Sequence, residues 1–212
     1  MHLILFLAYS VMLAFGLSRI PFFKASGLSY PVLLLFFAIH VFTALLHNWI
    51  AYTYYPNHGD IWFFFNESLD LKKMLLADPG RLISGFLPQV SVFNPGQTQS
   101  FWGYLEYELM MTVNTLLDFF SADNLQINSL IFSFFVFWGN IALFRCLRRV
   151  YEDDLAVALL CLLVPSTLFW TSPIHKEGLL YLSLGFLFYY MGLFFSKKFS
   201  FRLALSCIFL GC

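Results

Sequence analysis

Two short stretches hold most of the side chains in this chain that could do chemistry. The first reads Tyr54-Tyr55-Pro56-Asn57-His58-Gly59-Asp60 and leads into an aromatic segment carrying Asn66, Glu67 and Asp70. The second reads Ser172-Pro173-Ile174-His175-Lys176-Glu177-Gly178. A carboxylate at the mouth of a membrane helix is costly to hold near lipid, so Asp60 is a functional candidate by position. Its plain alternative is helix initiation, since Asp near a helix start stabilises exposed backbone N–H groups. Lys176 lies in the first turn of an expected helix, where a cation opposes the helix dipole by about 0.3 to 1 kcal/mol. An ion pair with Glu177 or snorkelling to the interface would explain it; so would a phosphate to bind. His175 has the chemistry to bind a phosphate, relay a proton or ligate a metal. His58, Asp60, His175 and Glu177 could meet in space, but no metal-ligand spacing is present, and the sequence calls for no metal and no cofactor.

The elements that must position these groups are membrane helices. The 212 residues are 60% hydrophobic and 11% charged, with a mean hydropathy of +0.75. Soluble domains carry roughly 25% charged residues. Aromatic residues reach 21%, with 28 Phe. The formal net charge is zero, so there is no electrostatic footprint for nucleic acid. Cys146, Cys161, Cys207 and Cys212 lie in or beside apolar runs and read as buried small hydrophobes rather than a disulfide or zinc framework.

A span needs about 20 mostly apolar residues. Leu3 to Leu17, extendable through Phe23, Ser29 to Tyr52, Ile127 to Leu147, Leu155 to Thr171 and Glu177 to Phe195 qualify. A last run starts at Phe201 and stops at Cys212 after about 12 residues, below span length, so the chain is expected to be a piece of a longer protein. The first helix lacks a basic leader and a clear cleavage site and is expected to be retained. Lys and Arg favour the cytoplasmic side. Arg19 and Lys24, the Arg145/Arg148/Arg149 group and Lys197/Lys198 all fall inside together only if Leu105 to Ser121 does not span. That segment also carries Glu106, Glu108, Asn114 and Asp118, which suits a helix lying flat on the outer face.

This topology leaves a long external loop from Thr53 to about Gln126 and a short one from Ser172 to Lys176, with the N-terminus outside. Within the long loop, Ile61 to Leu76 reads as a helix with Asp60 and Glu67 on one face and Asp70 near it. Trp62, Phe65 and Leu69 form an apolar stripe on another. Ala77 to Arg81 and Phe93 to Gln97 read as turns, and Ser84 to Ser100 as irregular chain that must avoid lipid. Asn66-Glu67-Ser68 is a glycosylation triplet of a kind common by chance. Ser172 and Pro173 read as the cap and first residue of the last complete helix. No internal repeat is visible, which disfavours an inverted-repeat transporter. The fold expected is an all-α polytopic membrane bundle: residues 1–26 form an extra N-terminal helix, and residues 27–212 the main module.

The order of parts has a counterpart. A membrane helix ends outside and is followed by Gly59-Asp60, then by a long loop with interfacial helices. A helix ending in Arg145-Cys146-Leu147-Arg148-Arg149 comes next, then Val164-Pro165-Ser166-Thr167-Leu168-Phe169-Trp170 and a short external loop with a Lys/acidic pair. From Ser29 to Cys212 this resembles the N-terminal module of the type C glycosyltransferases, polytopic enzymes that use polyprenyl-phosphate sugars. It is most similar to the bacterial branch near the protein mannosyltransferases and the lipid A aminoarabinose transferases. The Lys176-Glu177 pair and the extra first helix depart from that pattern.

The resemblance implies sugar transfer from a polyprenyl phosphate to a lipid, glycan or protein acceptor at the outer face of a bacterial inner membrane. It implies Asp60 as the catalytic base and Glu177 as the second acidic position. Lys176 would meet the leaving phosphate, with Arg81 and His175 as further candidates and Glu67 in the substrate-binding set. Apolar helices would hold the prenyl chain, and the anomeric centre would invert. Two other readings stand beside it. One is an envelope polysaccharide polymerase, which would rely on external arginines such as Arg81. The other is a non-catalytic transport or assembly module, for which His40 and His47, seven apart on one helix, are the hint.

Overall fold

Glycines spaced by seven set the closest contact in the bundle. Gly178, Gly185 and Gly192 lie on one helix; Phe132, Gly139 and Cys146, spaced by the same seven, face them from another. A Cβ on Gly185 would stand 2.2 Å from the carbonyl oxygen of Gly139, and one on Gly139 would stand 2.6 Å from the Cα of Leu182. Bare backbone at these positions lets the helices touch, which is how membrane helices associate when lipid removes the hydrophobic drive between them. Both residue series rise together, so the two helices run parallel.

The computed structural model describes residues 2–56, 58–78, 80, 101–151 and 153–195, with side chains left out at 101–105. Every element among these residues is a helix: α1 (His2–Arg19), α2 (Pro21–Lys24), α3 (Tyr30–Tyr54), α4 (Asp60–Ala77), α5 (Phe101–Ser121), α6 (Leu125–Leu147), α7 (Asp154–Leu162), α8 (Pro165–Thr171) and α9 (Lys176–Phe195). The protein is an all-α membrane bundle. Four described helices, α1, α3, α6 and α9, are long and apolar enough to cross a membrane, and α7 with α8 makes a fifth, broken candidate. α5 is not among them. Arg81, the turn at 93–97, the stretch 84–100, Lys197, Lys198, Cys207, Cys212 and the run from Phe201 lie outside the described residues.

Helix α6 is the axis. α3 runs antiparallel to it, joined by His40 Nε2 to Asn140 Nδ2 at 2.7 Å and by Asn48 Nδ2 donating to Ser129 Oγ at 2.9 Å and Gln126 Oε1 at 3.0 Å. Around the lower half of α6, Leu17, Phe23, Phe37, Phe137, Ile141, Phe144 and Leu162 form a dense apolar core. At that end Arg145 stacks on Phe22 and Tyr189, and Arg148 pairs with Asp154 at 2.6 Å. The opposite end carries α4 and α5, so the arginines and the acidic loop segments are separated by the length of the bundle.

Since α6 and α9 are parallel, the chain between them must return to the end where α6 began. α7 and α8 make that return with a 44° bend. The expected single helix from Leu155 to Thr171 is therefore two. Pro165 starts α8, and the residue before it, Val164, is held extended at ψ 114, as a following proline requires.

Two other expectations need correction. The buried stripe of α4 is Ile61, Phe64, Ser68 and Leu75; Trp62, Phe65 and Leu69 are only partly covered. The stripe is rotated by one residue because α4 packs along α5 rather than on a flat surface. α9 starts at Lys176 rather than at Pro173. Ser172 closes α8 instead, its N–H donating to Leu168 O at 3.0 Å, while its own carbonyl accepts from Ser133 Oγ at 2.7 Å and its hydroxyl meets His40 Nδ1 at 3.1 Å.

α4, α5 and α6 are keyed together by a side chain expected on a polar surface. Asp118 is fully buried. It accepts from Ser68 Oγ at 2.6 Å and Asn128 Nδ2 at 2.5 Å, while Lys72 Nζ donates to its backbone carbonyl and pairs with Asp123 at 2.6 Å. Burial holds this carboxyl above its ordinary range, against the downward pull of the two hydrogen bonds. Asp118→Ala would leave the Ser68 hydroxyl and the Asn128 amide without their acceptor. A loss of about 2 to 4 kcal/mol is expected, read as a lower unfolding midpoint of the purified protein in detergent.

Candidate active site

Ionisable residues from both sequence stretches lie at the end of the bundle away from the arginines. α4 begins at Asp60 after Gly59, whose φ of +90 turns the chain sharply out of α3. Gly59 is the N-cap, and no side chain caps this helix. Asp60 therefore makes no capping hydrogen bond. It is exposed, and its charge acts on both His175 and Lys176. Trp62, one turn into α4, folds back so that its Nε1 donates to Ala51 O at 3.4 Å, tying α4 to the end of α3.

The Lys176–Glu177 ion pair considered from sequence is not formed. Lys176 Nζ lies 3.0 Å from Glu106 Oε1 on α5, with both side chains about half exposed at 46% and 48%. Glu177 instead approaches His175, with Oε2 3.5 Å from Nδ1. At that separation the contact is electrostatic rather than a good hydrogen bond. Glu177 Oε2 is itself shielded from solvent and has no hydrogen-bond donor. Lys176 thus pairs with a carboxylate of α5, and the charges of Glu177 and then Asp60 add to the negative field around it.

His175 is buried and packs edge-on against His47 at 5.1 Å between ring centroids, with Trp170 at 5.9 Å on another side. Burial pushes the His175 proton affinity down; Glu177 and then Asp60 pull it part of the way back. Its balance favours a neutral ring at neutral pH, one able to take a proton. His47 also packs at a tilt against Phe169, 4.9 Å between ring centroids, and its Nδ1 is buried without a partner among the described residues. His40 is not part of this cluster: both ring nitrogens are engaged, by Asn140 and Ser172, and it holds α3 to α6 and to the loop after α8.

Glu67 lies to one flank. It is exposed and hydrogen-bonded to Tyr107, whose phenol is pushed above its ordinary range by burial first and then by the charges of Glu67 and Glu108. Asp70 is engaged elsewhere, with Lys73 at 2.7 Å. His58 is exposed. Among the described residues no group of three His, Cys, Asp or Glu side chains is arranged to hold a metal ion.

Of the residues singled out in the sequence, the structure places His175, Lys176 and Glu177 at one helix start with Asp60 within electrostatic reach, leaves Glu67 to one flank, and does not describe Arg81. Sequence reasoning named Glu106 only as part of a polar helix face and His47 only with His40 as a transport hint, and placed neither at this site. Glu106 is remote in sequence from its lysine, and only the docking of α5 reveals the pair. His47 carried a signal, as a histidine near the mouth of a span. Fold and cluster together define the class: a multi-pass α-helical membrane protein with an acid–base cluster gathered at one end. No family model, curated protein or solved structure matches this chain.

Proposed function

We propose that the chain is the N-terminal part of a membrane glycosyltransferase of the type C kind, moving a sugar from a polyprenyl phosphate to an acceptor at the outer face of a bacterial inner membrane. The observation that carries this reading is that Asp60, from a separate part of the sequence, lies within electrostatic reach of His175 and Lys176. A base and a cation at one membrane-surface site are what glycosyl transfer from a phosphate needs.

The acceptor hydroxyl oxygen forms the new bond to the anomeric carbon while its proton passes to Asp60. The bond from that carbon to the phosphate oxygen breaks, and its electron pair leaves with the phosphate. Such a base contributes typically 10²- to 10⁴-fold. Lys176 stabilises the charge gathering on the phosphate. In the resting structure Lys176 is held by Glu106. The donor phosphate must therefore compete with that carboxylate, which keeps the cation aimed but sets a threshold for binding.

The test is radiolabelled sugar transfer from polyprenyl-phosphate donors into membranes carrying the protein, with Lys176→Ala beside the unaltered chain. The variant is expected to raise the donor KM at least ten-fold and to leave the acceptor KM within about two-fold. Equal losses for both substrates, or no transfer from any polyprenyl-phosphate sugar by the unaltered protein, would overturn the reading.

A further inference from the structure

The arginine end of the bundle carries positive charge that its own carboxylates do not match. Arg145, in the last turn of α6, and Arg149, one turn beyond it, both stack on the ring of Tyr189 in α9, with guanidinium carbons 4.8 and 5.0 Å from the ring centre. The charge of Arg149 acts on Arg145. Two like charges set around one ring repel each other unless an anion joins them. Among the described residues the carboxylates of this end are Asp153 and Asp154. Asp154 is taken by Arg148 at 2.6 Å, and Asp153 caps α7 by accepting from the N–H groups of Leu155 and Ala156. Neither pairs with Arg145 or Arg149.

The placing of the pair selects the anion. Arg149 is exposed, yet its side chain lies back on α9, where a Cβ on Gly192 would stand 3.7 Å from its Nη1. Arg145 is half-buried and reaches across to α2, donating to Phe22 O at 3.4 Å. Both cations are therefore held against the side of the bundle, at the depth where α6 ends. Toward the middle of the membrane, α9 presents an open apolar strip beside them. Leu184, Phe188 and Met191, spaced by four and three, share one face, and all three are exposed. Cations at the end of a span, above an apolar strip on the same helix pair, complement a molecule with an anion at one end and a hydrocarbon chain at the other. Guanidinium groups make short, charge-assisted hydrogen bonds to phosphate oxygens, and basic pockets between membrane helices take anionic lipid head groups.

We propose that Arg145 and Arg149 bind the phosphate of an anionic phospholipid from the leaflet at that end, with an acyl chain lying along Phe188 and Leu184. By the distribution of Lys and Arg this is the inner leaflet. The guanidinium groups come from the end of α6 and the ring from α9, so the bound head group clamps the two parallel helices where both finish. The site lies at the opposite end of the bundle from Lys176 and does not depend on the glycosyltransferase reading.

Native mass spectrometry of the purified full chain in detergent tests this by counting retained lipids. The probes are phosphatidylglycerol and phosphatidylcholine with the same acyl chains, so that net head-group charge is the main difference. One phosphatidylglycerol should be held at least ten-fold more tightly than phosphatidylcholine. Arg149→Gln, at an exposed position, should bring the two lipids within about three-fold of each other. Lys73→Gln removes an exposed cation at the opposite end of the bundle and should change nothing. Equal retention of both lipids by the unaltered chain, a preference untouched by Arg149→Gln, or the same loss in Lys73→Gln overturns the proposal. Millimolar sn-glycerol 3-phosphate should not displace the lipid; if it does, the site is one for a soluble phosphate and the lipid assignment fails. The position is read without any variant from phosphatidylglycerol carrying a photoreactive diazirine in mid-chain. Its adducts should concentrate on the peptide spanning Leu184 to Met191, and adducts spread evenly over the membrane helices or gathered on another one would overturn the assignment.

Discussion

Asp60→Asn is expected to lower sugar transfer by 10²- to 10⁴-fold while the protein accumulates in the membrane at its usual level. The magnitude is that of a general base whose proton transfer has been removed. The separation of activity from folding follows from the surroundings of the side chain. Asp60 is exposed and makes no cap hydrogen bond in α4, whose start is set by Gly59. An amide of the same size therefore leaves no buried donor unsatisfied. Lys176 keeps its contact to Glu106, so the cation stays in place. Asp60→Glu is a useful companion, because it restores the carboxylate with a longer reach and should recover part of the rate. Full activity in Asp60→Asn would remove the base from the mechanism. Loss of both activity and membrane accumulation would make the residue structural.

Gly185→Leu is expected to disrupt the bundle. A Cβ there falls 2.2 Å from the Gly139 oxygen and 2.8 Å from its carbonyl carbon, both backbone atoms of α6. No rotamer change relieves a backbone clash, so α6 and α9 must move apart along the seam. Overpacking in a well-packed core costs roughly 1 to 3 kcal/mol even when side chains can yield, and the cost here should lie at or above the top of that range. The seam also positions the site. Gly178, one heptad earlier, abuts Phe132 and the Thr171 carbonyl, next to His175 and Lys176. Gly192→Ala is the control. Its added methyl would meet the Cys146 Sγ at 3.1 Å, a side-chain atom that can rotate. The measurement is the unfolding midpoint and the monodisperse fraction on gel filtration in detergent. Gly185→Leu should lose most of the folded peak, and Gly192→Ala should shift the midpoint only slightly. Equal behaviour of the two variants would mean the glycine seam does not set the packing.

Much of the architecture was legible because membrane helices are specified by length and apolar composition alone. Residues Tyr30–Tyr54, Leu125–Leu147 and Lys176–Phe195 follow the expected spans to within two residues at either end, the usual spread of helix ends. The break at Leu163 and Val164 was less visible. Pro165 marks it in the sequence, yet a proline in a membrane helix is often tolerated where neighbours satisfy the freed backbone groups. Asp60, His175, Lys176 and Glu177 stood out as rare ionisable groups next to spans. Their true partners did not, because pairing depends on how α4 and α5 dock. Lys176 meets Glu106 rather than its neighbour Glu177 because the first turn of α9 directs adjacent side chains about 100° apart. Asp118 was misjudged for the same reason. Read along α5 alone it belongs to a wetted face, but that face turns into the junction with Ser68 and Asn128.

The seven-residue spacing that joins α6 to α9 carries a hazard of its own. A pattern that repeats can be matched one repeat out of step: Gly185 would then face Phe132, and the whole of α9 would have slid by about 10 Å along its axis. Such a slip would carry Lys176 far from Glu106 and Asp60. What fixes the setting is not the glycines but the small polar clasp just before the helix, where Ser172 is gripped by Ser133 and His40. Those two contacts act as the index mark of the bundle, and loosening them would leave a protein still packed and still in the membrane but with its cation out of place.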